Sequence, residues 1–478
     1  MRNSKKDRIE SAIAEMISSG IVKPGQKVPS LRKTSQLYNV SVTPVAEAYK
    51  ELEKLGILQG RPKSGYVVVS NDLSALSFLG KGAGGSKSAS ATNAADSSYL
   101  PSGDYLYNFD RPSIAPGLFS GADAAYHISR NLKLFPNLVD IEPAGYDDHA
   151  LTDALSKFML SYNLVCHSDD IAICDNDILS AFQMTLQCCT EPGDTIILTS
   201  PCAKIHIQAA AARGHRILCV HSYPGTGIDL DELEHCLITN PEAKCLLLST
   251  CNQFPAGSRM PDEAKERLAT ICCMHQLTVI EDDCFGHLNF DGKRPKPLKG
   301  YAPDNVIYLS SLTSALLPGL RLNWACPGKY KAAFLRCRNQ AAAAPVALLQ
   351  NGIASMINSR QFRKKLDALN QKLSEELSVV MNALFRSFPE HTAISMPKGG
   401  IGIWVQLPRN MNAERLKEEA RLDGIYIATG DEFSACGGYA DCFAINFSVI
   451  AANPEMLKGV LRLGEIASRL CEEEFPHV

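Results

Sequence analysis

The stretch from Ser310 to Trp324, Ser-Ser-Leu-Thr-Ser-Ala-Leu-Leu-Pro-Gly-Leu-Arg-Leu-Asn-Trp, gathers the groups best suited to chemistry. Val306 to Leu309 ahead of it is a short apolar β-type run that ends in a turn rich in Ser and Thr. Hydroxyls and free backbone N–H groups at such a turn suit an anion, and Arg321 stands close enough in sequence to add a charge-assisted fork for phosphate. The same words also describe an ordinary strand-to-loop junction with a Pro-Gly turn.

What must position these groups is bounded first by size and composition. A chain of 478 residues is too long for one compact domain, so two or three folded units are expected. Its 45% hydrophobic and 21% charged content is that of a globular protein, and no apolar run is long enough to span a bilayer. Met1 to Arg8 is charged and runs straight into an amphipathic pattern, which argues against a secretory signal and for a cytoplasmic protein. None of the 17 cysteines precedes Cys166. Vicinal pairs occur at Cys188-Cys189 and Cys272-Cys273 without any Cys-x-x-Cys, so neither a disulfide framework nor a metal site is expected. Charge is unevenly spread: residues 1 to 70 hold 12 Lys and Arg against 6 Asp and Glu, a surplus of +6, while the remaining 36 against 45 leaves −9. A small basic module on a larger acidic body is the pattern of a nucleic-acid reader joined to a sensor or catalytic domain.

Within the basic module, Ile9, Ile13 and Met16 fall at helical spacing, and Gly20 with Pro24-Gly25 ends that helix. Ser30 suits the N-cap of a second helix reaching about Tyr38, and Ser41 that of a third, with Val45, Ala48, Tyr49, Leu52 and Leu55 as its inner stripe before Gly56. Ile57 to Gln59 and Gly65 to Val69 read as two short strands around a turn at residues 60–64. Helix, helix, turn, helix and hairpin is the order of a winged helix-turn-helix. Its Pro-Ser-x-Arg, Val-Ser, Ala-Tyr-x-x-Leu-Glu-x-x-Gly and Ser-Gly-Tyr words resemble the GntR-type DNA-binding domain. The resemblance implies a third helix in the major groove and a wing on the adjacent backbone. Lys33, Arg61 and Lys63 would then contact phosphates and Arg32 a phosphate or base edge, while Ser41, Val42 and Thr43 face the groove of operator half-sites in double-stranded DNA.

Residues 1–70 form this module, and 71–104, centred on Gly-Lys-Gly-Ala-Gly-Gly-Ser-Lys-Ser-Ala-Ser-Ala-Thr, read as a flexible linker that cannot bury a core. From residue 105 to 478 apolar strands alternate with helical patterns. Ile171–Cys174, Thr195–Thr199, Arg216–His221, Lys244–Ser249, Thr278–Glu281, Val306–Leu309 and Leu322–Cys326 are the expected strands, with helices such as Leu179–Cys189, Ile205–Ala212 and Asp262–Met274 between them. This alternation argues a mostly parallel sheet covered on both faces, over about residues 140–345. A long amphipathic stretch from about Arg360 to Phe388, followed by strands at Ile401–Leu407 and Ala444–Phe447, suggests a smaller α+β C-terminal lobe.

The body resembles the fold-type I aminotransferases, above all the aminotransferase-like half of MocR-type regulators in the GntR superfamily. The words that carry this are Glu191-Pro192-Gly193-Asp194, Asn252-Gln253-Phe254-Pro255-Ala256-Gly257, Glu281-Asp282-Asp283 and the stretch from Ser310 to Arg321. The fold class is therefore multidomain: an α+β winged helix-turn-helix plus an α/β fold-type I body with its smaller lobe. In that family the segment runs Ser-x-Ser-Lys-Thr-Leu-x-Pro-Gly-Leu-Arg, its lysine bound to pyridoxal phosphate as a Schiff base. Ser314 takes the lysine position here, and a hydroxyl cannot form an imine.

The resemblance carries over residue by residue. Asp282 matches the Asp that pairs with the pyridine nitrogen, and Cys284 stands where the family has a Tyr. Asp177 puts a carboxylate where a Gly-rich helix start receives phosphate. Ser311 and Arg321 persist as phosphate-type ligands, and Asn252 completes a vestigial pocket. No stacking aromatic stands at Cys202, Ala203 or Lys204, and the arginine for a substrate carboxylate falls at Ala444. Lys204 and Lys329, the nearest alternative amines, read as surface cations. The expectation is a DNA-binding regulator, not an enzyme, whose body forms a homodimer and senses an unidentified small molecule without Schiff-base chemistry. Any pyridoxal phosphate would bind weakly and without a covalent bond. The competing expectation is a pyridoxal-phosphate aminotransferase, or cofactor-sensing regulator, with a DNA-binding module attached.

Overall fold

Ser30 opens the expected second helix of the N-terminal module, α1 (Leu31–Leu37), its hydroxyl accepting the Lys33 N–H at 3.3 Å. A second helix, α2 (Val42–Lys54), follows Ser41, and two strands, β1 (Leu58–Arg61) and β2 (Gly65–Val68), pair antiparallel from Leu58 opposite Val68 to Arg61 opposite Gly65. Helical spacing sends Val45, Ala48, Tyr49 and Leu52 of α2 inward, where they meet Ile9, Ile13, Val28, Ile57 and Val68 in one apolar cluster. Tyr49 is fully buried, and its hydroxyl donates to the Pro29 carbonyl at 2.7 Å. The expected helix, turn, helix and wing are thus present. Of the expected N-terminal helix only Ile9 and Ile13 are described; Met16, Gly20 and Pro24-Gly25 there, with Tyr38, Leu55, Gly56 and residues 62–64 at the wing tip, lie outside the described residues.

The structure is a computed structural model that describes Ile9, Ile13 and residues 26–37, 40–54, 57–61, 65–69, 88–89, 105–140, 148–174, 177–340, 346–408 and 411–474. The chain divides into two compact units near Gly85, with the short segment Glu390–Met396 grouped with the first. Within the stretch expected to be a linker, Ser88–Ala89 forms a short strand against the edge of the body's sheet, antiparallel to Ile217 and Leu218.

In the body, the nine-stranded central sheet is built on seven strands, β3 (Ala172–Cys174), β4 (Thr195–Ser200), β5 (Arg216–Tyr223), β6 (Cys245–Leu248), β7 (Thr278–Asp282), β8 (Val306–Ser311) and β9 (Asn323–Cys326), with the two-residue strands Ser88–Ala89 and Gly227–Ile228 both paired to β5. The seven lie in the order β5, β4, β6, β7, β8, β9, β3. Every neighbouring pair among the seven is parallel except those that β9 makes with β8 and β3. Successive residues point to opposite faces, and both faces are covered: Ile196, Leu198, Leu247 and Ile280 enter one core, Ile197, Leu246, Leu248 and Val279 the other. This is why the strands read in sequence as continuous apolar runs. Two helices border the carboxyl ends of the strands, α3 (Ile178–Cys189) and α4 (Lys204–Ala211), while the four-residue α5 (Leu312–Ala315) follows β8 directly.

The C-terminal lobe starts from the 28-residue helix α6 (Arg360–Ser387). Its strands β10 (Gly402–Gln406), β11 (Ala428–Thr429) and β12 (Cys442–Asn446) pair antiparallel, with β12 between the other two. Tyr107–Asn108 pairs in parallel with Ile425–Tyr426, which fixes Asp110 beside this lobe. Among the described residues no helix is long and apolar enough to cross a membrane.

Candidate functional site

Five of the seven DNA-facing candidates of the module lie on its surface. Arg32 and Lys33 lie exposed on α1, and Ser41, Val42 and Thr43 are exposed at the start of α2. Arg61 ends β1, its side chain outside the described residues together with all of Lys63.

In the body, a cavity of about 220 Å³ opens at the carboxyl ends of the strands. Asp282, the last residue of β7, forms its floor. One carboxylate oxygen accepts the Cys284 N–H at 3.0 Å, and the other accepts His206 Nε2 at 2.9 Å and the Ser249 hydroxyl at 3.2 Å. Burial pushes this carboxyl up, but His206 and the Cys284 amide outweigh burial and hold it below the usual carboxylate range. Cys284 lines the wall as a thiol pushed far up by burial and then by the Asp282 charge, so it is no nucleophile. Ser314 also faces the cavity, 5% exposed; its N–H is taken by the Ser311 hydroxyl at 3.1 Å and its carbonyl by the Ile114 N–H at 2.8 Å.

Phe182, Phe254, Phe285 and Phe433 supply most of the apolar wall. Across from Asp282, the Lys204 ammonium sits 2.6 Å from Asp110 and 3.1 Å from Glu432, and Glu432 in turn holds Lys417 at 2.9 Å. Lys204 is only 22% exposed and Asp110 6%. It is therefore not the surface cation the sequence suggested. Burial lowers the Lys204 pKa, but the two carboxylates more than reverse this and keep the amine charged. Asp110 is pushed up by burial, which its contact with Lys204 only partly offsets.

The remaining members of the expected pocket do not line the cavity. Asp177 is the N-cap of α3: one oxygen accepts the Ser180 N–H at 3.0 Å and the other the Ser180 hydroxyl at 3.0 Å. Ser311 caps the short helix α5, and Arg321 is exposed with a left-handed backbone, φ +48°. Asn252 is buried behind the wall, its amide donating to the carbonyls of Phe285 at 3.0 Å and Leu288 at 2.7 Å. Gly399 packs on it so closely that a Cβ there would fall 2.1 Å from the Leu288 oxygen. The Asn252 amide nitrogen thus staples the 285–289 loop.

Sequence reasoning missed Asp110, Glu432 and His206. Asp110 and Glu432 lie 94 and 228 residues from Lys204, so no local pattern could have joined them. The loop that carries Glu432 and Phe433 is tied to the sheet by Cys202 N–H to Phe433 O at 2.8 Å and by Tyr439 OH to Ser200 O at 2.6 Å. A disulfide from Cys219 on β5 to Cys436 ties it again. That bridge departs from the expectation of unpaired cysteines; its halves are 217 residues apart, with Cα atoms 6.4 Å from each other. Among the described residues no cluster of His, Cys, Asp and Glu is placed to hold a metal ion.

Comparison with known proteins agrees with both parts. Residues 5–68 match the family described as bacterial regulatory proteins, gntR family, and residues 144–458 match aminotransferase class I and II. The uncharacterized HTH-type transcriptional regulator YjiR of Escherichia coli (strain K12) is 25% identical over 97% of this chain and 99% of its own. The uncharacterized HTH-type transcriptional regulator YdcR of the same strain is 27% identical over 92% and 94%. Among solved structures, LysN, the alpha-aminoadipate aminotransferase of Thermus thermophilus complexed with N-(5'-phosphopyridoxyl)-L-leucine, superposes with a TM-score of 0.71 over 80% of this chain and 97% of that one, at 24% identity.

Proposed function

The chain belongs to the aminotransferase class I and II family and carries a GntR-type DNA-binding module, and from that premise we propose a regulator whose body dimerises and senses a small ligand without lysine-linked cofactor chemistry. The joined module and body are the arrangement of MocR-type regulators, and two relatives that span nearly the whole chain bear the name of transcriptional regulators. The observation that carries the proposal is the exposed face formed by Arg32, Lys33 and Ser41 to Thr43 above a closed apolar core. Selection of DNA from a random pool by the purified chain, followed by fluorescence anisotropy, tests it. A saturable, salt-sensitive complex on paired half-sites is expected; no enrichment over the starting pool overturns the reading.

For the body, the residues present do not suit pyridoxal phosphate. Ser314 brings a hydroxyl into the cavity, and Lys204, the one lysine lining it among the described residues, has its amine charged and held by two carboxylates. The N-terminus of α3, which could hold a phosphate, is closed by the Asp177 carboxylate, while Arg321 stands outside the cavity. The Asp282–His206 pair favours the alternative, an aminotransferase with an attached reader, because a buried carboxylate so supported is what a protonated ring nitrogen requires. Titration with pyridoxal phosphate, followed by borohydride reduction and peptide mapping, separates the two. Regulation without covalent chemistry leaves no retained adduct; a reduced adduct on a lysine of this cavity restores the enzymatic reading.

A further inference from the structure

The wall and the floor of the cavity at the strand ends differ in kind, and together they select what can enter. Phe254 meets Phe433 edge to face, ring centroids 5.7 Å apart, and lies 6.3 Å from Phe285, so three rings form one continuous apolar surface. Phe182 of α3 adds a fourth ring to the lining, and all four are buried. Such a wall favours a flat aromatic ring, whose offset and edge contacts add to what apolar burial alone supplies.

Charge in the lining is unequal. Among the described residues that line the cavity, Asp110, Glu432 and Asp282 stand against Lys204 alone, and Lys204 is taken by Asp110 and Glu432. A carboxylate or phosphate on a ligand would meet three carboxylates with no lining cation left to answer it, where little water screens the repulsion. A cation is placed differently. Asp282 accepts the Cys284 N–H, His206 Nε2 and the Ser249 hydroxyl, and its remaining capacity is met by the Cys284 thiol, a weak donor. The same thiol lies within hydrogen-bond reach of Ser314, so the Asp282 carboxylate and the Ser314 hydroxyl flank one point of the cavity. An ammonium at that point replaces the thiol on Asp282 with a charge-assisted bond, and the thiol is left to Ser314.

We propose that this cavity binds a small arylalkylamine that carries no carboxylate or phosphate, its ammonium between Asp282 and Ser314 and its ring on the wall of Phe254, Phe285 and Phe433. The inference rests on the reading that the body takes a ligand without lysine-linked chemistry, and it names the class of that ligand. Isothermal titration of the full chain with 2-phenylethylamine tests it, against 2-phenylethanol, 3-phenylpropionate and 2-cyclohexylethylamine. The amine should bind saturably, about tenfold tighter than the alcohol, because a charge-assisted hydrogen bond is replaced by a neutral one. It should exceed its cyclohexyl counterpart by about threefold or more, and the carboxylate should give no saturable heat. Asp282→Asn should weaken the amine by about tenfold and leave the alcohol unchanged, and Ser314→Ala should weaken the amine by about fivefold. The ligand series on the unaltered chain and the small change at Ser314 read out the site even where Asp282→Asn fails to fold. Absence of saturable heat from the amine overturns the inference, as does an alcohol, carboxylate or cyclohexyl compound that binds as tightly, or a Ser314→Ala variant with undiminished affinity. Each of these leaves the parent reading standing. A borohydride-retained pyridoxal phosphate adduct on a cavity lysine overturns that reading instead, so the two failures come from different titrations.

Discussion

In the N-terminal module the polar chemistry stands outside and the interior is apolar; in the body, charged groups are taken inside. Arg32, Lys33 and Thr43 project into solvent above a core of Val45, Ala48 and Leu52. Asp282, Asp283, Arg294 and Lys204 sit within the body, each answered by a partner: His206 for Asp282, Asp283 and Arg294 for one another, and Asp110 for Lys204. A surface residue of the module can be exchanged without consulting its neighbours, because water remains its partner. A buried charge in the body cannot, because removing its partner leaves a desolvated ion. Function in the module is therefore separable from stability, and in the body the two are coupled.

The largest test of this contrast is Arg294→Ala. It strips Asp283 of its guanidinium in a water-poor site and should cost about 3–5 kcal/mol, read as a lower denaturant midpoint for the body. Mild acid should separate the two units next. No histidine precedes His127, whereas His287 is buried with its folded pKa well below the unfolded value. Its contribution to stability is complete above about pH 6.5 and is lost as pH falls from there toward the folded pKa, since the unfolded chain then binds a proton the folded body refuses. Spectroscopic probes placed in each unit should show the body losing stability first, and simultaneous loss in both would break the comparison. Asp177→Ala removes a cap from α3 and should cost about 1 kcal/mol in a thermal melt, while opening that helix end to inorganic phosphate. The smallest effect on stability belongs to Lys33→Ala. It should leave folding within about 0.5 kcal/mol of the parent yet lower the salt slope of DNA binding by about one.

How much of this could be read beforehand depended on the range of the interaction. The seven strands on which the central sheet is built were legible because a strand buried on both faces leaves an unbroken apolar run, as Ile196 to Leu198 does. The stripe of α2 was legible for the same local reason. Asp282, Cys284 and Ser314 could be placed at the cavity because each sits in a short word at the end of a strand. Asn252 and Arg321 sit in equally recognisable words, yet one turns back to staple a loop and the other faces solvent; the backbone path that decides this is not local. The Lys204 partners and the Cys219–Cys436 bridge join chain segments 94 to 228 residues apart, and only the folded topology brings them together.

The Asp177 cap also bears on how such a body could change over generations. A Ser314→Lys substitution alone would bring an amine into the cavity while the Asp177 carboxylate still caps the start of α3. Opening that end first would take about 1 kcal/mol from α3 with nothing gained in return. The cap is therefore held in place by helix stability alone, whatever the cavity binds.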